Sequence, residues 1–207
     1  AGVAKALGLK VLKGKEPTAC GPAAAAHRRE SQQGLATHVG IIKGLPSSPV
    51  SRKLRAMRIL FMGDIVGRPG RTAVKKHLVA IRSATGADLI LANAENASGG
   101  LGLSADGAKE LLNAGVDLLT SGNHIWKFKD MPSFMLREER LVRPANYPPG
   151  TPGAGMHVLR KEGLPPVAVL NLLGRTFMPP VDCPFRAADA LLAQLDQEAP
   201  DVKIRLV

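Results

Sequence analysis

From residue 57 onward, apolar positions come in short aliphatic runs separated by stretches with helical spacing. Residues 58–62 read as a strand, and Pro69-Gly70 opens a helix through about residue 82, since proline is tolerated in a first helical turn. A second strand falls at 88–94, a helix at 104–113 ended by Gly115, and a third strand at 116–121. Three successive strand and helix units of this kind mark an α/β domain with a largely buried sheet. Further on, 131–140 reads as a helix, 155–160 and 167–172 as a strand pair joined through 163–166, 185–197 as a helix and 202–207 as a strand. In such sheets ligands gather outside the carboxyl ends of the strands, so each loop that follows a strand is a place to look for chemistry.

Residues 1–56 show no comparable pattern. They are rich in Ala, Gly, Lys and Arg, contain no aromatic residue, and reach their first methionine only at Met57, just before the first strand. They also hold ten Lys/Arg against two acids, Glu16 and Glu30, so most of the chain's +11 charge sits there and residues 57–207 carry only +3. The preferred reading is a native start at Met57 behind a leader that is disordered or translated upstream sequence. A transit peptide fits the basic composition but lacks an amphipathic Arg-bearing helix. A nucleic-acid-binding arm is not expected, because charge without interleaved aromatics is more often simply solvated. No apolar run approaches the roughly 18 residues that cross a bilayer, which argues against a membrane role. Cys20 and Cys183 form no CxxC pair, so reduced thiols and a cytoplasmic setting are expected.

The loops after the first three strands hold the candidate chemistry. The first, Gly63-Asp64-Ile65-Val66-Gly67-Arg68-Pro69-Gly70, puts a carboxylate at a strand end, and alone it is no more than a loop or cap residue. It is not a P-loop, because no Lys-Ser/Thr pair stands where that motif needs one. The second contains Glu95 and Asn96, and the third reads Ser121-Gly122-Asn123-His124-Ile125-Trp126. Carboxylate, amide and imidazole donors together suit Mn, Fe, Mg or Zn, and their placement at three strand ends lets them converge.

The segments GDIVGRPGR, AENASGGLGL, SGNHIW, VRPANYP and NLLGRTFMPP resemble the YmdB-type branch of the calcineurin-like metallophosphoesterases, across essentially all of residues 57–207. The resemblance implies an αββα sandwich, a dinuclear centre of Fe, Mn or Mg ions, and phosphodiesterase activity on cyclic nucleotides or related small phosphodiesters. It also implies self-association. By the same resemblance Asp64 binds the first metal, Glu95 bridges, Asn123 binds the second with Asn96 beside them, and His124 protonates the leaving oxygen. Arg143, Asn146 and Arg175 fall in motifs that could line the substrate pocket, whereas Trp126 is expected in the core.

The sequence departs from the family pattern in one important way. Relatives complete the centre with histidines after later strands, beginning directly after the strand that 202–207 resembles, and His27, His38, His77 and His157 do not fall in those motifs. Lys127 replaces a common acid, with little expected effect. The chain is therefore expected to be the N-terminal part of the sandwich with its C-terminal part missing, holding an incomplete centre and open to being inactive. Two other classes stay in view: a nucleotide- or metal-binding regulatory module without turnover, and a nucleic-acid-binding protein acting through the leader.

Overall fold

In the computed structural model, residues 57–207 are described. The readings of the 1–56 leader lie outside them. Strands β1 (Ile59–Met62), β2 (Leu89–Asn93), β3 (Leu118–Thr120) and β4 (Leu141–Val142) form a parallel sheet in that order. Strands β5 (Met156–Leu159), β6 (Val167–Leu170) and β7 (Ile204–Leu206) form a second sheet, antiparallel between β5 and β6 and parallel between β6 and β7. The helices are α1 (Gly67–Thr85), α2 (Ala105–Asn113), α3 (Met131–Met135) and α4 (Pro184–Glu198), with a 3-10 turn at Asn123–Lys127.

Alternation along the strands assembles the layers, because successive side chains point to opposite faces of a sheet. Leu60, Met62, Ile90, Ala92 and Leu119 face a core with Val74, Leu78 and Ile81 of α1 and Ala108, Leu111 and Leu112 of α2. Their neighbours Ile59, Phe61, Leu89, Leu91 and Leu118 turn the other way and meet Val167, Val169, Ile204 and Leu206 of the second sheet. The far face of that sheet, through Ala168 and Leu170, packs on Leu191, Leu192 and Leu195 of α4. The result is helix, sheet, sheet, helix, the αββα order expected. Leucines such as Leu60, Leu91 and Leu119 are at most 1% exposed, and each contributes ~2 kcal/mol by leaving water.

Local signals explain where the elements stop. Ser104 caps α2 by accepting the Gly107 N–H. Gly86 ends α1 in the left-handed region at φ 63°, where a side chain is strained. The helix expected at 131–140 stops at Met135, a correction with a clear cause. Leu141 and Val142, both fully buried, must enter the sheet beside β3, and a continuing helix would carry them away from it. That two-residue strand and the 3-10 turn had no sequence signal.

Candidate active site

Backbone hydrogen bonds first bring the strand-end loops together. After β1, the Ile65 N–H donates to the Asn93 carbonyl at 3.0 Å and the Gly67 N–H to the Asn96 carbonyl at 2.8 Å. Within the second loop, Asn93 Oδ1 accepts from the Glu95 N–H at 3.0 Å, a side-chain turn that sets the following residues. The Ala94 N–H reaches the Thr120 carbonyl at 2.9 Å and so joins the third loop. Arg71 of α1 braces the group from behind, donating to the Ala97 carbonyl while pairing with Glu110 of α2 at 2.6 Å.

On this frame four of the expected residues meet. Asn96 Nδ2 donates to Asp64 Oδ2 at 2.9 Å, and Asn96 Oδ1 lies 2.8 Å from His124 Nδ1. His124 Nδ1 is also 3.0 Å from Glu95 Oε1, and the His124 backbone N–H points to the same oxygen at 3.4 Å. Glu95 can reach this position only because Gly122 has no side chain: a Cβ there would fall 1.8 Å from Glu95 Oε2. The Glu95 and His124 side chains remain 17% and 35% exposed, so the group is reachable from solvent.

Asn123 begins the 3-10 turn next to His124, and among the described residues its side chain has no hydrogen bond. Two carboxylates with two amides form an oxygen-rich donor set suited to Mg, Mn or Fe. Among the described residues no three or more His, Cys, Asp or Glu side chains are grouped to hold a metal. The residues present therefore fit part of a metal centre, with amide oxygens supplementing a pair of acids.

The residues expected to line a substrate pocket behave differently. Arg143 spends its guanidinium on its own loop, donating to the carbonyls of Pro144, Ala145, Thr151 and Pro152 at 2.8–3.4 Å. Asn146, 1% exposed, donates to the carbonyls of Leu173 and Asp182 and accepts the Leu173 N–H. Both tie backbone segments together through these polar atoms. Arg175 is exposed and lines a cavity of about 430 Å³ with Asp182, Cys183 and Arg186, which shares no residue with the Asp64 group.

Sequence reasoning passed over Arg71, Gly122 and Tyr147. Arg71 and Gly122 lie inside recognised motifs, but their roles need the fold. Tyr147 meets Trp126 edge-on, with ring centroids 5.5 Å apart and planes at 81°. Burial pushes its phenol above the usual tyrosine range, a hydrogen bond with Trp126 opposes the shift, and the Glu95 charge adds to it. Trp126 does pack against the main core, though it is only partly buried.

A sequence model described as YmdB-like protein matches residues 60–207. Over 148 residues the chain is 43% identical to a Bacillus subtilis (strain 168) protein named 2',3'-cyclic-nucleotide 2'-phosphodiesterase, covering 72% of this chain and 56% of that protein. Among solved structures, a hypothetical protein from Thermus thermophilus aligns with a TM-score of 0.62 and 46% identity, covering 67% of this chain and 53% of that one. A novel phosphatase from Mycoplasma pneumoniae gives a TM-score of 0.62 and 32% identity, covering 68% and 52%. The chain thus spans about half the length of the relatives it matches.

Proposed function

The chain belongs to the YmdB-like family, and from that membership we propose that the whole protein hydrolyses phosphodiesters, with cyclic nucleotides as substrates and divalent cations as cofactors. The observation that supports the reading most is the connected run from Asp64 through Asn96 to His124 and Glu95, across the ends of three parallel strands. Two divalent cations, when bound, offset the negative charge of a phosphodiester and lower the pKa of the attacking water. In this proposal Asp64 and Glu95 would hold the cations, with the amide oxygens of Asn96 and Asn123 as further ligands.

His124 does the proton work. Its Nδ1 is committed to Asn96 and Glu95, which fixes the ring and leaves Nε2 as the atom to meet the departing oxygen. An imidazole held this way can protonate an alkoxide as it leaves.

The cyclic-nucleotide class rests on the name of the Bacillus subtilis relative, and Fe, Mn and Mg all suit the oxygen donors. No helix among the described residues is long and apolar enough to cross a membrane. A cytoplasmic setting and self-association belong to the same proposal and rest on cysteine usage and family resemblance.

The test is hydrolysis of bis-p-nitrophenyl phosphate by the purified chain with added manganese, beside Asp64→Ala and His124→Ala, with bound metal counted. Activity lost in both variants supports the assignment. A folded chain with no turnover and at most one weakly held ion would remove it for this polypeptide and favour a binding module.

A further inference from the structure

The chain contains one tryptophan and one tyrosine, and the two rings touch each other beside the candidate site. Trp126 stands two residues after His124 in the same 3-10 turn. Tyr147 lies within electrostatic reach of the Glu95 carboxylate. Both rings are only partly buried, and their planes meet at 81°, so the face of one stands next to the edge of the other.

The loop that presents Tyr147 is held unusually firmly. Arg143 donates to four carbonyls on either side of it, Asn146 anchors it to Leu173 and Asp182, and the Thr151 N–H closes it on Pro148. The two residues expected to touch substrate thus serve to fix the one that follows them. A ring already fixed in place loses little freedom when a ligand stacks on it.

We infer that Trp126 and Tyr147 form an aromatic corner that receives the nucleobase while the phosphoester lies at His124, an assignment that rests on the phosphodiesterase reading above. A planar base can stack on the face of one ring and turn an electron-rich atom toward the positive edge of the other. Such stacking tolerates different bases, because each has a π-face. The corner therefore selects nucleotides over sugar phosphates without choosing strongly among bases.

The experiment is equilibrium dialysis of the full chain in manganese with adenosine 3′-monophosphate and with ribose 5-phosphate, and Trp126 emission recorded alongside. The nucleotide should bind about tenfold more tightly than the sugar phosphate, the scale of one base stack, and quench Trp126. Tyr147→Ala should remove about that factor for the nucleotide and leave ribose 5-phosphate unchanged, while Tyr147→Phe keeps most of it. If the alanine variant does not fold, Tyr147→Leu, of similar bulk but without a π-face, should show the same selective loss. Equal affinity for the two anions, or a folded Leu or Ala variant that keeps the preference, overturns the corner and leaves the phosphodiesterase reading standing. Binding of neither anion overturns both.

Discussion

The two ends of the parallel sheet carry the same kinds of acid and treat them in opposite ways. At the amino ends of the strands, Asp117 accepts from Arg82 at 2.7 Å, from Lys161 at 3.2 Å and from the Ile90 N–H at 2.7 Å. Asp88 there takes the Arg58 N–H at 2.8 Å. At the carboxyl ends, Asp64 and Glu95 meet an amide and an imidazole, and among the described residues neither has a Lys or Arg within ion-pair distance. Acids neutralised by the chain's own cations fasten strands to helices. The function proposed above would use the acids at the carboxyl ends, unpaired with Lys or Arg among the described residues, to hold cations.

The sharpest break of this contrast is Gly122→Ala. The added methyl would overlap Glu95 Oε2, so the carboxylate must leave the position where it meets His124. Nothing at the amino ends depends on Gly122. We expect hydrolysis to fall on the order of 100-fold, as for misplacement of a catalytic group by about 1 Å, with the melting temperature little changed. A Gly122→Ala protein with full activity would show that the Glu95 position is not what the chemistry uses.

Much of this arrangement could be read before the fold was known, and the reasons are local. Strands β1 to β3 are short aliphatic runs bounded by turn residues, and the chemistry of each following loop is written in neighbouring letters such as Glu95-Asn96 and Asn123-His124. What could not be read depends on direction and distance. Arg143 and Asn146 stand in recognisable motifs, but residue type alone does not say that their donors face loop carbonyls rather than a ligand. Leu141 and Val142 are too short a run to signal a strand, and only burial beside β3 makes them one. The contact between Trp126 and Tyr147 likewise exists only once two loops fold together.

At the opposite end, Asp117→Ala should separate stability from chemistry. It leaves Arg82 and Lys161 without their shared carboxylate and the Ile90 N–H without its side-chain acceptor. Loss of hydrogen bonds to a charged acceptor in a half-buried setting costs about 2 kcal/mol. Urea melts should show that loss, while hydrolysis per folded molecule stays at the parent level. If activity drops and stability does not, the two ends are not independent and the contrast fails.

The smallest effect is expected at Glu110, an acid of the paired kind that nonetheless stands behind the site. Hydrogen bonds from Arg71 and then Lys75 lower its pKa, at separations of 2.6 and 3.1 Å. A carboxyl with a lowered folded-state pKa adds stability above its unfolded pKa, and that stability is lost as pH falls through the folded value. Its side chain is 28% exposed and that of Lys75 is 55%, so screening keeps the contribution at pH 7 below about 1 kcal/mol. Glu110→Gln should therefore melt slightly below the parent at pH 7, with the gap closing as pH falls below about 4, the range of an unperturbed glutamate. Arg71 keeps its bond to the Ala97 carbonyl in that variant, so the loop bearing Glu95 and Asn96 should hold its place and hydrolysis should be retained. A gap that stays constant into acid would mean that the pair acts through packing rather than charge, and Glu110 would then belong with neither class of acid.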